Sequence, residues 1–278
     1  MKDAAQEGMR QMIGAVVYRL RAEDTARVPV FHGRWLHGLF FKIMEEYSAE
    51  LSAYVHEALN VKPFTVSLLK QRQGKDEGGY RAVARGESLS WRVTALREDV
   101  LRAALHVRTG EVLQAGNLPL RVEEVKVDGT EDSGVVDEME LVGAALGAGR
   151  IAEIRLRFLS PVAFRRDDKD YPTPDPVFIF SSLSDKWQQA AMPVEMDRAW
   201  IREAAARALL AEWHGSSRRV YFGGDRGMLA FSGRFSYDVT ALDEEEQHAL
   251  LLLAQFANFS GVGRLTGQGF GETRVAYR

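Results

Sequence analysis

The order of apolar and polar positions is similar in the two halves of the chain, and in each half it predicts strands alternating with helices. Residues 118–127 (LPLRVEEVKV) alternate with a period of two, as a half-buried strand does, whereas residues 33–59 carry apolar side chains at helical spacing. The elements predicted for the first half are, in order, a strand at 11–20, a helix at 33–59, a strand at 64–69, a hairpin at 80–84 and 88–95, a helix at 97–107 and a strand at 118–127.

The second half repeats this order with different spacing. Asp243 stands where a capping residue begins a helix, and the Pro-rich segment 167–176 favours a loop. The elements predicted for the second half are a strand at 153–163, helices at 179–189 and 197–213, a hairpin at 219–223 and 228–237 that turns at 223–227, a helix at 244–259 and a strand at 272–277.

Each half therefore approximates the βαββαβ order of a ferredoxin-like unit. We predict an α+β protein made of two tandem ferredoxin-like (RRM-like) βαββαβ domains with a cleft between them. The predicted domains are residues 1–128 and 151–278. Residues 129–150, which are acidic and then rich in Gly and Ala, are interpreted as the linker.

Composition narrows the class of protein. The 278 residues suffice for one large or two small domains with proper cores. The absence of Cys excludes disulfides, thiolate metal sites and cysteine nucleophiles. Residues 1–12 contain no apolar run typical of a signal peptide, and no segment approaches about 18 continuous apolar residues. A soluble, cytoplasmic protein is therefore expected.

The charge balance argues against a general nucleic-acid binder, because the net charge is −3 and the isoelectric point is about 6.1. However, 28 of the 36 basic residues are Arg, which binds phosphate in a bidentate manner and stacks on bases. Acidic residues concentrate at 123–140 and 243–246. A segregated surface of this kind is compatible with RNA binding. The Arg residues that cluster are Arg155, Arg157, Arg165, Arg166, Arg218, Arg219, Arg226, Arg234, Arg264 and Arg274.

The most distinctive motif is GVGRLTGQGFG at 261–271, in which two Gly-apolar-Gly units are separated by five residues that include Arg264. Glycine permits positive φ and close approach to a ligand. Outward-facing amides together with an Arg side chain would form a concave anion-binding surface suited to a phosphate backbone. A tight turn that merely joins a helix to the last strand is the alternative, and the motif alone does not decide between the two.

This motif resembles the glycine-rich loop of the RAMP superfamily of CRISPR-associated RNA-binding proteins. Upstream, IRLRFLSPVAFR at 154–165 precedes a Pro-rich stretch, an amphipathic helix and FANFSGVGRLTGQGFG. The first half contributes VPVFHGRWLHGLFF and KPFTVSLL. Together, these segments resemble the repeat-processing endoribonuclease of that superfamily, the "Cas-six" type.

The resemblance implies an endoribonuclease that cleaves CRISPR precursor RNA within its repeats and needs no metal or other cofactor. The 2′-hydroxyl attacks its own phosphate and leaves a 2′,3′-cyclic phosphate and a 5′-hydroxyl end. The implied partner is CRISPR repeat RNA. Subunits of a CRISPR effector complex and a second copy of the chain are further candidate partners, and no membrane partner is expected.

Histidine suits either proton-transfer role in such a cleavage because its pKa lies near 6.5. The resemblance places a histidine near the first helix, which selects His37, with His32 as the second candidate. Both have a plainer interpretation, as a polar helix residue and a loop residue. The resemblance also implies a supporting cation, for which Lys42 and Arg21 are the candidates. The residues predicted to bind RNA are Gly261, Gly263, Arg264, Gly269, Gly271, Arg218 and Arg219.

Two other functions remain open from the sequence. A non-catalytic RAMP subunit that binds guide RNA would share the glycine motif and the tandem fold but would not need His37. A metabolic enzyme or small-molecule binder built on ferredoxin-like domains is favoured weakly by the acidic isoelectric point.

Overall fold

Two antiparallel sheets, one in each half of the chain, form the framework of the protein. The computed structural model describes residues 11–57, 61–71, 76–222 and 227–278. The elements of the first half are β1 (Met12–Ala22), β2 (Ala26–Pro29), α1 (Gly33–Tyr47), α2 (Ala49–Glu57), β3 (Phe64–Val66), β4 (Lys70–Gln71), β5 (Asp76–Glu77), β6 (Tyr80–Val83), β7 (Ser88–Ala95), α3 (Glu98–His106), β8 (Val112–Ala115), β9 (Leu118–Lys126), β10 (Gly134–Asp137) and α4 (Glu138–Leu146).

The second half has fewer and longer elements. They are β11 (Glu153–Val162), β12 (Arg165–Arg166), β13 (Lys169–Asp170), α5 (Pro176–Gln189), α6 (Arg198–Arg207), β14 (Leu209–Tyr221), β15 (Gly227–Asp238), α7 (Glu244–Ser260), a short 3₁₀ helix (Thr266–Gln268) and β16 (Thr273–Tyr277).

Both sheets have the strand order of a βαββαβ unit. The first runs β3-β7-β1-β9-β8, with β10 also paired to β1 and β4 to β7. The second runs β14-β15-β11-β16. In each sheet the first and third strands of the unit lie at the centre, flanked by the second and the fourth. The predicted α+β class with two tandem βαββαβ units is confirmed.

Local chemistry explains the start of α7. The Asp243 carboxylate accepts a hydrogen bond from the Glu246 amide, and the Glu246 carboxylate accepts one from the Asp243 amide. This capping box satisfies two amides at the helix start that have no partner within the helix. Beyond its first turn α7 is buried on nearly all sides, and it contacts elements of both halves.

Three sequence predictions differ from the structure. The helix at 33–59 is two helices, since Ser48 adopts an extended conformation between α1 and α2, and residues 58–60 lie outside the described residues. Residues 209–213, predicted as helix, begin β14, because their pairing with β15 outweighs a local helical pattern. The segments at 80–84 and 88–95 do not form a hairpin: β6 pairs with β2 and β5, whereas β7 pairs with β1. The turn predicted within 223–227 falls largely outside the described residues.

The segment interpreted as a linker, residues 129–150, contains regular structure. β10 pairs with β1, and Asp137 begins α4 through a second capping box with Glu140. α4 then packs against α7. The limits of the two domains remain a prediction. Within the described residues, no helix combines the length and apolar character needed to cross a membrane.

Candidate active site

An open cleft of about 590 Å³ lies between the two halves of the chain, and we call it the central cleft. His37 and Lys62 line it from the first half, and α5, α6 and residues 263–268 of the glycine motif line it from the second. Its lining is rich in basic side chains, which raise the local concentration of a polyanion. These are Lys62, Arg165, Lys186, Arg198, Arg202 and Arg264.

The half-buried His37 ring is held in one orientation by contacts from both halves. It packs edge-on against Phe41 with ring centroids 4.9 Å apart and stacks on Phe64 at 5.8 Å. Its Nδ1 lies 2.8 Å from the main-chain oxygen of Gly267. Because a carbonyl oxygen can only accept, Nδ1 carries the proton and donates it, which leaves Nε2 as the acceptor in the neutral ring.

The pKa of His37 is lowered from its usual value. Burial makes the largest contribution, and the nearby charges of Lys62, His56 and Arg34 add to it, while the hydrogen bond to Gly267 opposes it. The ring is therefore neutral near pH 7, with Nε2 free to take a proton. No protein group within the described ranges is hydrogen-bonded to Nε2.

The glycine motif lies directly against the start of α1. A Cβ added to Gly33 would lie 1.9 Å from the Gln268 oxygen and 3.2 Å from the Gly269 Cα, so only glycine permits this contact. Gly269 itself has φ +87, which favours glycine. Because the motif lies this close to α1, the Gly267 oxygen is within hydrogen-bond distance of His37.

The amides of the glycines predicted to bind RNA donate to groups of the protein itself. Gly261 donates to Ala257, Val262 to Gly271, Gly263 to the Ser182 hydroxyl and Gly271 to Pro161. The expectation that these glycine amides face an anion is therefore wrong, because the loop needs them for its own conformation. The Arg264 side chain is exposed at the central cleft, and its contact with RNA remains a prediction.

Lys186, a residue that sequence reasoning did not select, supports the glycine motif from α5. The buried ammonium donates to the main-chain oxygens of Ser260 and Gly261, each at 2.9 Å, and to the Thr266 hydroxyl at 3.3 Å. It thus satisfies carbonyls at the α7 C-terminus, where the helix dipole favours a cation. Burial nevertheless lowers the pKa of Lys186 to about 7.

Lys62 is a second residue that the sequence did not reveal. Its ammonium donates to the main-chain oxygens of Val55 and His56 at 2.9 and 2.8 Å, at the end of α2, and it lines the central cleft near His37. Lys62 stands in the KPFTVSLL segment, but α2 and residues 58–60 separate it from α1, so no local spacing relates it to His37.

The other predicted catalytic residues lie outside the central cleft. His32 is buried, donates from Nδ1 to Pro29 and accepts at Nε2 from the Leu69 amide, each at 2.9 Å. Burial lowers its pKa to about 4, so both nitrogens of a neutral ring are used by the main chain. Arg21 pairs with Glu123, and the exposed Lys42 lies 3.8 Å from the carboxylate of Glu46. His32 is therefore not placed to act as the alternative catalytic histidine, and Arg21 and Lys42 are not placed to assist His37.

Arg218 and Arg219 lie on β14 and line a second groove of about 540 Å³ between the halves, together with Lys70 and Arg81. This groove is separate from the central cleft, and the RNA contact predicted for these two residues remains a prediction. Within the described ranges, no group of three or more His, Cys, Asp or Glu side chains is arranged to hold a metal ion.

Two family models match the chain, one in each half. The model of the CRISPR Cas6 N-terminal domain matches residues 13–107, and the model of the CRISPR-associated endoribonuclease Cas6 matches residues 156–273. Among curated proteins, the CRISPR-associated endoribonuclease Cas6 of Mycobacterium tuberculosis is 29% identical over 123 residues. That match covers 44% of this chain and 38% of the relative, so it spans less than half of either protein.

Solved structures match from end to end. Thermus thermophilus Cas6 is 28% identical with a TM-score of 0.72, covering 97% of this chain and 100% of that one. The product complex of a Cas6 is 28% identical with a TM-score of 0.77, covering 95% and 99%. A Cas6 substrate mimic complex is 27% identical with a TM-score of 0.72 and the same coverage. Since family models match both halves and these structures share the whole fold, the chain belongs to the CRISPR-associated Cas6 family.

Proposed function

We propose that this protein is an endoribonuclease that cleaves CRISPR precursor RNA within its repeats, at the central cleft. The observation that carries the proposal is the state of His37: a neutral imidazole, fixed through Nδ1 by Gly267, with Nε2 available in a basic cleft. The matched Cas6 structures include a product complex and a substrate mimic complex. Because the family model is that of an endoribonuclease, these complexes support an RNA substrate for the present protein as well.

In the proposed reaction, Nε2 of His37 takes the proton of the ribose 2′-hydroxyl as its oxygen attacks the adjacent phosphorus. The O2′–P bond forms and the P–O5′ bond breaks, and the departing 5′ oxygen takes up a proton from water in the open cleft. The products are a 2′,3′-cyclic phosphate and a 5′-hydroxyl end. Lys62 and Arg264 supply positive charge for the additional negative charge that develops on the phosphoryl oxygens.

This mechanism requires no metal ion, because a histidine base and fixed cations supply the proton transfer and the charge. The test is incubation of the protein with a panel of CRISPR repeat RNAs in EDTA, beside a substrate carrying one 2′-deoxy residue at the cut site. Cleavage in EDTA that the 2′-deoxy substitution abolishes, with cyclic phosphate ends, is expected. Cleavage that needs a divalent metal or survives the 2′-deoxy substitution contradicts the mechanism. Tight binding without cleavage supports the non-catalytic guide-RNA subunit.

A further inference from the structure

A row of basic side chains crosses all four strands of the second sheet on its open face. In the strand register, His214 on β14 lies opposite Arg234 on β15, Arg234 lies opposite Arg157 on β11, and Arg157 lies opposite Arg274 on β16. We call these four residues the arginine row. Arg157, Arg234 and His214 are exposed, whereas the apolar residues of the opposite face, such as Leu156, are buried.

The arginine row costs folding stability. Neighbouring strands lie about 4.8 Å apart, and like charges placed directly opposite one another on a sheet are destabilising. Arg274 offsets part of the cost by pairing with Asp132 and Glu272. Arg157 and Arg234 have no ion pair or side-chain hydrogen bond within the described ranges. In a chain of net charge −3, overall composition does not account for such a concentration.

Next to the arginine row on the same face of the sheet, another arginine is neutralised by an acidic side chain. Two residues along β11, Arg155 donates through Nε and Nη2 to the two carboxylate oxygens of Glu153, at 2.8 and 3.0 Å. Glu212 on β14 lies near enough to Arg155 to raise the pKa of its guanidinium further. The arginine row has no acidic member, and apart from Arg274 its guanidinium charges, those of Arg157 and Arg234, are available to an external anion.

The surface around the row has the shape and chemistry for a polyanionic strand. A groove of about 490 Å³ runs over the row and also includes Arg155, Glu212 and Ser236. Guanidinium groups bind phosphate oxygens in a planar, bidentate manner. The core of a protein interface is apolar and aromatic. The exposed members of the row, Arg157, Arg234 and His214, are polar, and two of them are guanidinium groups, which favours a nucleic-acid backbone over a protein partner.

We propose that the arginine row binds the sugar–phosphate backbone of a single-stranded segment of the RNA that the enzyme processes, outside the central cleft. The inference rests on the proposed function and extends it. The row adds affinity for the RNA and takes no part in bond cleavage. The stability lost to like-charge repulsion in the free protein is regained when phosphates lie between the guanidinium groups.

The test compares two double variants that remove the same charge. Arg157→Gln with Arg234→Gln alters the arginine row. Arg102→Gln with Arg121→Gln is the matched control, since these exposed residues pair with Glu98 and Glu23 elsewhere on the surface. Binding of the 2′-deoxy repeat RNA is measured by fluorescence anisotropy over a range of salt concentrations, and the single-turnover cleavage rate of unmodified RNA is measured at saturating protein.

The row variant should bind the RNA about tenfold more weakly, and the slope of log K against log salt should fall by about 1.4, the value for two lost contacts to a single strand. Its cleavage rate at saturation should equal that of the wild type, and its melting temperature should be equal or higher. The control variant should retain wild-type affinity and slope.

If the wild type cleaves and both double variants bind the RNA equally well, this inference is overturned while the proposed function stands. That result is also the one expected if the row binds an acidic protein surface. A row variant that binds normally but cleaves slowly at saturation overturns it as well. If the wild type neither binds nor cleaves repeat RNA, the proposed function fails and takes this inference with it.

Discussion

At the residue scale, the candidate chemistry depends on one imidazole whose two nitrogens have different environments. Gly267 fixes the proton on Nδ1 of His37, which leaves Nε2 able to accept a proton. His32 shows the contrasting case, because main-chain groups occupy both of its nitrogens. Two histidines five positions apart thus differ in their hydrogen-bond partners, which cannot be seen in the sequence.

The lowered pKa of His37 predicts a specific pH dependence. Because the base must be deprotonated, kcat/KM should rise with pH, and the acidic limb should lie below the usual histidine pKa. Lys62 contributes to the lowering, so Lys62→Met should move that limb to higher pH. Lys42→Met, which removes a lysine outside the cleft, should leave it in place. Rate profiles measured at subsaturating RNA distinguish the three proteins, and a shared acidic limb would refute the role given to Lys62.

Lys186 should make stability depend on pH in a predictable direction. Its pKa is about 7 in the folded protein and 10.5 when unfolded, so the unfolded state binds the extra proton between these values. Stability linked to Lys186 therefore rises with pH above 7. Relative to Lys186→Met, the wild type should gain at most about 2 kcal/mol of unfolding free energy from pH 7 to pH 9. Urea titrations at both pH values measure this, and a constant difference would show that Lys186 stays charged throughout.

Sequence reasoning selected His37 and Arg264, which line the central cleft, but not Lys62 and Lys186, which line it as well. A histidine and a glycine-rich motif can be recognised from the local sequence alone, because few other residues share their chemistry. Lys62 and Lys186 gain their roles from carbonyl oxygens distant along the chain. Lys186, for example, lies 74 positions from Ser260. The sequence also could not predict that the glycine amides donate to groups of the protein itself. The motif indicates a tight bend, but it does not indicate the direction in which the amides point.

At the scale of elements, the contact between α1 and the glycine motif places His37 at the cleft. Gly33 starts α1 against Gln268 and Gly269, and His37 follows one turn later. The position of α1 relative to the glycine motif therefore depends on residue 33 having no side chain.

Gly33→Ala should separate α1 from the loop, since its Cβ would lie 1.9 Å from the Gln268 oxygen. We expect a loss of about 1–3 kcal/mol of stability and slower cleavage at saturating RNA. Gly38→Ala on the same helix is the control, because nothing lies within 4 Å of its added Cβ and alanine favours helix by about 0.5–1 kcal/mol. Thermal melts and single-turnover rates test both; equal behaviour of the two variants would mean that the contact does not position the site.

Elements with strong local chemistry were predicted from the sequence, and elements defined by pairing were not. The capping residue Asp243 and an apolar run predicted α7 to within a residue of its ends. The sequence assigned this strand only from residue 219, whereas β14 begins at Leu209, because its first ten residues are strand only through pairing with β15. β6 was given the wrong partner, since pairing with β2 brings together segments that no short-range pattern connects.

At the scale of the whole molecule, the two βαββαβ units are joined by shared packing. Ile13 and Leu96 of the first half belong to the same apolar cluster as the second-half core. The buried Arg92 donates to Asn258 at 2.9 Å, and Thr94 donates to Phe259, at the C-terminal end of α7. The tandem arrangement was predictable from the repeated element order, but this shared core was not.

The shared core predicts that both halves unfold together. Calorimetry should give one transition whose calorimetric and van't Hoff enthalpies agree. Two separate transitions would mean that each half is stable alone and that the central cleft is an interface between independent units.

Single-turnover cleavage of a repeat RNA by His37→Ala in EDTA, beside an equilibrium binding titration, tests whether His37 carries the chemistry of RNA cleavage. The exposed His106→Ala serves as the control, because His106 lies on α3, does not line the central cleft and has its ring contact with α1 at Tyr47, the last residue of that helix. We predict that His37→Ala cleaves about 10²–10⁴-fold more slowly, as expected for loss of a general base, while its affinity and melting temperature stay close to those of wild type. Cleavage by His37→Ala at the rate of the wild type and of His106→Ala would contradict the account.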